Sequence, residues 1–180
     1  MTDFTLRTAV PADVPAIREV MEASISRLQS GVLTPAQVEA SRGGMGLDTR
    51  LIDDGTYFLV FHDSRLAGCG GWSRRATLYG GDHSGGRDAR LLDPGTERAR
   101  IRAMYTHPDF IRRGIGSLVL RAAEDAARAE GFRATEMAAT LAGRPFYERH
   151  GYTVEKAFTD TQGAVGVPLF VMSKPLQLAP

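Results

Sequence analysis

The stretch that most limits what this chain can fold into runs from residue 99 to 131, "ARIRAMYTHPDFIRRGIGSLVLRAAEDAARAEG". It opens on period-two alternation, passes through a basic turn broken by two glycines, and continues as an apolar stripe at helical spacing. A strand that feeds a helix through a short turn must pack that helix on a sheet. On the strand, Ala99, Ile101, Ala103 and Tyr105 are expected on one face. Arg98, Arg100, Arg102, Met104 and Thr106 are expected on the other. On the helix, Ile115, Leu118, Val119, Ala122, Ala126 and Ala129 form the predicted buried stripe. Arg121 with Asp125, and Glu124 with Arg128, are spaced for ion pairs on the wet side. Gly131 ends the helix.

The flanking sequence supplies further elements. "DFTLRTA" reads as a short strand. "PADVPAIREVMEASISRL" carries Val14, Ile17, Val20, Met21 and Ile25 at helical spacing, with Asp13 as the expected cap. "TPAQVEASR" reads as a short helix with Pro35 at its first position. "GGMGLDTRLIDDG" fits no single element. "TYFLVFH" and "RLAGCGGWSR", separated by "DS", predict a hairpin. Residues 75–96 predict a long loop, a length often tied to function. "RATEMAAT" is a strand, "AGRPFYERHG" a short helix ended by Gly151, and "VPLFVMSKPL" a late strand that pairs with "YTVEKAF". The order is not a regular strand–helix alternation. It predicts a mixed α/β fold with a largely antiparallel sheet, flanking helices and one crossover helix.

The 180 residues suit one domain over 1–180. A net charge of +1 demands neither nucleic acid nor a membrane surface as partner. No apolar run approaches the roughly 20 residues that span a bilayer. "MTDFTLRTAV" lacks a signal-peptide pattern. The single cysteine, Cys69, has no internal disulfide partner. A reducing, cytoplasmic setting is therefore expected. No metal site is expected, and a homodimer is compatible with the sequence.

The glycine turn has its own chemistry. The first amides of a helix lack internal acceptors, and the helix dipole adds positive potential there, so a phosphate fits. Gly114 and Gly116 remove Cβ atoms from the ligand's path, and Arg112 and Arg113 add attraction. Alone, a GxG is also compatible with a plain strand-to-helix connection. It is not the dinucleotide fingerprint, because the third glycine position is Val119. It is not a P-loop, because no Lys-Ser/Thr pair follows.

The turn together with "MAATLAGRPFYERHGY" resembles the GNAT superfamily of acetyl-CoA-dependent N-acetyltransferases, most strongly over residues 98–152. The resemblance implies a GNAT-like fold and acetyl-CoA as co-substrate. It implies that "IRRGIG" takes the CoA pyrophosphate through the amides of Arg113, Gly114, Ile115, Gly116 and Ser117. Ile111 stands where the family usually carries Arg or Gln. Met104, Tyr105 and Thr106 would lie along the pantetheine arm. The Asn often found upstream of the second motif is absent. Tyr147 occupies the position often used as general acid to the departing thiolate.

The implied activity is acetyl transfer by direct attack of an amine, from a small molecule or a protein. A backbone N–H near Tyr105 is a candidate to polarise the thioester carbonyl. Glu97, Glu136, His107 and His150 are the candidate bases, each with a structural role open beside it; ordered water is a further option. Arg100 stands near where some relatives carry a glutamate. Cys69 suggests an acetyl-cysteine route only if activated, and no His sits beside it in sequence. Trp72 and Tyr79 flank the long loop and are candidates to line the acceptor pocket. Residues 22–50 and 75–96, which would set the acceptor, carry mixed charge, so its sign stays open. A non-catalytic acyl-CoA-binding sensor on the same fold is the alternative, and a nucleotide-phosphate enzyme a weaker third.

Overall fold

A computed structural model describes residues 4–177. In chain order the elements are β1 (Phe4–Thr8), α1 (Val14–Leu28), α2 (Pro35–Ser41), α3 (Thr49–Asp53), β2 (Tyr57–His62), β3 (Arg65–Ser73) and β4 (Ala99–Thr106). They continue as α4 (Ile115–Ala129), β5 (Ala134–Thr140), α5 (Arg144–Arg149), β6 (Thr153–Asp160) and β7 (Val167–Pro175). Single 3₁₀ turns cover Pro11–Asp13 and Pro108–Phe110. The first strand was expected from Asp3, which lies outside the described residues. The segment that fitted no element supplies α3, capped by Asp48, whose carboxylate accepts the Arg50 amide at 3.2 Å. Among the described residues, no helix is long and apolar enough to cross a membrane.

The strands form one sheet in the order β1-β2-β3-β4-β5-β7-β6. Every neighbouring pair is antiparallel except β4 and β5. These two are parallel because α4 crosses over between them. Their pairing stops after Ala99↔Thr135 and Arg100↔Glu136. β5 instead follows β7 along its whole length, from Ala134↔Pro175 to Thr140↔Leu169. The sheet therefore splits at its one parallel seam.

Each face of the sheet carries its own core. Leu120, Ala123 and Ala127 of α4 pack with Trp72, Ile101, Phe132, Met137 and Met172. Ile17, Val20, Met21 and Ile25 of α1 pack with Tyr57, Leu59, Cys69 and Tyr105 on the other face. The glycines of "AGCGGW" let α4 sit close. A Cβ at Gly68 would lie 2.5 Å from Ile115 Cγ2, and one at Gly70 would lie 2.9 Å from Val119 Cγ1.

Three sequence expectations need correction. First, β4 does not alternate throughout. Ala103 takes a left-handed φ of 50°, opposite a register shift between Cys69 and Gly71. This bulge swaps the faces beyond it. Ala99 and Ile101 stay under α4, joined by Met104, while Tyr105 turns to the α1 core. Second, the buried side of α4 is Ile115, Val119, Leu120, Ala123, Glu124 and Ala127, whereas Leu118 is exposed. Glu124 is not a wet-side residue: it takes Lys174 Nζ and the Tyr152 hydroxyl, both at 2.9 Å. Arg128 pairs with Asp125 instead. Third, Asp13 does not cap α1 with its side chain; its carboxylate holds Arg7 at 2.7 Å and the Val10 amide at 2.8 Å.

The arginine-rich 75–96 loop is pinned to the body by ion pairs. Arg75 reaches Asp54 at 2.7 Å, and Arg87 and Arg102 converge on buried Asp48 at 2.7 and 2.8 Å.

Candidate active site

The split between β4 and β5 opens a cavity of about 760 Å³. Ile101 to Thr106 of β4 and Met137 to Thr140 of β5 line it, and two groups of polar atoms face it.

The first group is the turn before α4. Ile111 is extended, Arg112 is left-handed at φ 61°, and Gly114 is left-handed at φ 85°. Left-handed residues in such a turn bring successive N–H groups into one concavity. The first helical acceptor is used by Leu118, whose N–H donates to the Gly114 carbonyl at 3.0 Å. Among the described residues, no amide from Ile111 to Ser117 donates to an acceptor. The two glycines serve different ends. A Cβ at Gly114 would meet nothing, but its φ disfavours an L side chain; a Cβ at Gly116 would press the Phe146 ring at 3.1 Å. Phe146 belongs to α5, so Gly116 docks the second motif onto the turn.

Of the two arginines, only Arg112 lines the cavity. Arg113 turns away and stacks over Phe110 and Phe4, at 5.5 and 5.8 Å. Arg149 of α5 lines the cavity in its place, unforeseen from the sequence.

Met104, Tyr105 and Thr106 line the strand side of the cavity. The Tyr105 hydroxyl accepts the Gly46 N–H at 3.1 Å, and Tyr57 donates to the Ala103 carbonyl at 2.7 Å. Tyr147 lines the opposite side from α5, buried, and its hydroxyl makes no hydrogen bond among the described residues. Burial holds its proton well above the ordinary phenol range, with Tyr105 adding to the effect.

The candidate bases separate by position. Glu97 is half-buried and held by Arg90 and the Asp93 amide, which lower it to about 2. Glu136 is claimed by Arg100 and Arg98. His107 caps the 3₁₀ turn by accepting the Asp109 amide at 3.2 Å. None of these three lines the cavity; His150 does. Its Nδ1–H donates to the Phe146 carbonyl at 2.8 Å, which leaves Nε2 to accept from Ser117 Oγ at 2.9 Å. His150 also has a structural role: its N–H caps α5 on the Glu148 and Tyr147 carbonyls. Cys69 also lines the cavity, but burial pushes its thiol up to about 12, which leaves it a neutral, weak nucleophile. Trp72 is core, 1% exposed, and Tyr79 lines the cavity.

The second polar group is Tyr79, Gly44 and Asp160. Tyr79 donates to Asp160 Oδ1 at 3.1 Å. No sequence pattern marked Asp160; it ends β6, and only the β6–β7 hairpin carries it to the cavity. Among the described residues, no set of three or more His, Cys, Asp or Glu side chains is arranged to hold a metal ion.

A mixed sheet split at its parallel seam, with an open helix N-terminus facing the split, defines the acetyltransferase class of fold. The chain belongs to the acetyltransferase (GNAT) family, whose sequence profile matches residues 26–152. Among solved structures, a GCN5-related N-acetyltransferase of Rhodopseudomonas palustris is 20% identical, with a TM-score of 0.73 over 98% of each chain. The PaiA N-acetyltransferase of Thermoplasma acidophilum, solved with coenzyme A, is 18% identical, with a TM-score of 0.67 over 96% of this chain and 99% of that one. The ribosomal-protein-S18-alanine N-acetyltransferase of Escherichia coli is 15% identical, with a TM-score of 0.60 over 99% and 97%. No curated protein sequence matches the chain.

Proposed function

We propose that this acyltransferase moves an acetyl group from acetyl-CoA to an amine by direct attack, within one domain over residues 1–180. The carrying observation is the run of unpaired amides from Ile111 to Ser117 at the cavity's edge. They suit the pyrophosphate of CoA, with Arg112 and Arg149 as the nearby cations. The thioester arm then lies along Met104, Tyr105 and Thr106. That edge of β4 has lost its strand partner and offers backbone groups to the arm and its carbonyl.

The chemistry needs a proton on sulfur and one fewer on nitrogen. The amine nitrogen attacks the thioester carbon, the C–S bond breaks, and the proton shed by nitrogen leaves through cavity water. Tyr147 gives its phenolic proton to the departing sulfur and is reprotonated from solvent. Its burial keeps the phenol protonated at neutral pH, so a proton stands ready when the sulfur leaves. Cysteine chemistry is not used, because Cys69 has no activating neighbour and a raised thiol.

CoA release measured with a panel of amines tests the reaction. Tyr147→Phe should lower kcat by about 10²-fold or more while acetyl-CoA affinity holds. A fully active variant would remove Tyr147 from the mechanism. Tight acetyl-CoA binding with no turnover of any amine would instead favour a non-catalytic acyl-CoA sensor.

A further inference from the structure

Asp160 is a buried carboxylate without a counter-ion. It is 3% exposed, yet no Lys, Arg or His nitrogen lies within ion-pair distance among the described residues. Its Oδ1 accepts from the Tyr79 hydroxyl at 3.1 Å and the Gln162 amide at 3.3 Å. Among the described residues its Oδ2 accepts nothing, and it is not one of the sealed unpartnered atoms found there, Gln29 Oε1 and Arg87 Nη1. It therefore retains open surface, and Asp160 lines the cavity. Gly44 makes room for it: a Cβ there would stand 2.6 Å from Oδ2.

Arg102, which also lines the cavity, is consumed elsewhere. Its guanidinium donates to Asp48 at 2.8 Å and to the Thr77 and Gly80 carbonyls at 3.0 and 2.5 Å. Among the described residues, Asp160 is the one acidic side chain that lines the cavity; the exposed charges there, Arg112 and Arg149, belong to the turn and α5. Burying a charge without a partner is costly, and such charges are normally paired. A cationic group on a ligand would supply the partner that the described residues do not.

We infer that Asp160, held by Tyr79, binds a cationic nitrogen of the acceptor, so the acceptor is an amine carrying a second positive charge, such as a diamine or longer polyamine. Amino acids whose α-carboxylate would meet Asp160 are disfavoured. This assignment rests on the acetyl-transfer reading for the word "acceptor", but the binding site itself does not.

The test separates the two. Calorimetric titration of the CoA-saturated protein with 1,4-diaminobutane, n-butylamine and 4-aminobutyrate reads the site without turnover. The diamine should bind about 10- to 100-fold more tightly than butylamine, the range of one charge-assisted hydrogen bond. Aminobutyrate should bind most weakly. Asp160→Asn should weaken the diamine more than butylamine and so erase the diamine's advantage. If that variant does not fold, the wild-type order decides alone, and Gly44→Ala, whose methyl crowds Oδ2, gives a second reading of the same loss. Equal affinity for diamine and butylamine, or an advantage that survives in Asp160→Asn, overturns the inference. CoA release, followed in parallel, reports on acetyl transfer. Diamine selectivity without release would defeat the transfer reading and keep the cation site. Equal loss for both monoamine and diamine turnover in Asp160→Asn would make Asp160 the base and overturn its role in selectivity.

Discussion

Gly114 and Gly116 look equivalent in a GxG, yet they answer to different forces. Gly114 is required by its backbone, with a φ of 85° and empty space where a Cβ would stand. Gly114→Ala should therefore cost about 1–2 kcal/mol of stability while the turn keeps its shape. Gly116 is required by Phe146, 3.1 Å from an added Cβ. Gly116→Ala should displace α5, so CoA affinity and turnover fall together even if the loss of stability is small. Chemical denaturation beside calorimetry with CoA separates the two variants. Loss of CoA affinity in Gly114→Ala alone would reverse these assignments. The neighbouring arginines also divide. Arg112→Glu places a negative charge at the cavity, whereas Arg113→Glu removes a cation stacked on Phe110 and Phe4. The first should weaken CoA binding about tenfold, more at low salt. The second should act mainly on stability, by about 0.5–1 kcal/mol.

At the scale of elements, α4 shows what could be read from the sequence and what could not. Its position between a strand and Gly131 follows from local pattern. Its buried face departs from the predicted stripe at Glu124, because periodicity places a charged residue in water. The partners that admit it, Lys174 and Tyr152, lie on the far strand β7 and before β6, and no local spacing reveals them. β4 repeats the lesson: alternation was right until Ala103, where the bulge answers to β3 across the sheet. The turn was legible because its chemistry is local, whereas Asp160 and Arg149 join the cavity only through tertiary packing. The Glu124 cluster makes a prediction of its own. Glu124→Gln leaves Lys174 without its carboxylate partner in a mostly buried setting and should cost about 3 kcal/mol. The double variant Glu124→Met, Lys174→Met removes both charges and should be less destabilised than the single one. Urea unfolding of the pair decides it; a double variant worse than the single would mean the ion pair is a net stabiliser.

For the whole molecule, the number of buried acidic protons governs how stability responds to alkali. Tyr57, Tyr105, Tyr147 and Tyr152 are all raised above 10.0, and Cys69 is raised from 9.0 to about 12, in each case first by burial. These groups lie on the two faces of the sheet and around the split between β4 and β5, so they report on the packing of the entire fold. Below about pH 9 they are protonated in both folded and unfolded chains and add no pH dependence. As pH rises past 9 for the thiol and past 10 for the phenols, the unfolded chain ionises first and gains stability. Each such group then removes about 1.4 kcal/mol from the folded state per pH unit. With five groups acting together, the loss near pH 11 is about 5–10 kcal/mol, as large as the whole stability of many domains. The urea midpoint should therefore stay level between about pH 7 and 9 and fall steeply above about pH 10, with tyrosinate absorbance beyond that of half-buried Tyr79 appearing only as the protein unfolds. A midpoint that stays level to pH 11, or a signal from more than one tyrosinate in still-folded protein, would mean that these phenols are not buried as described.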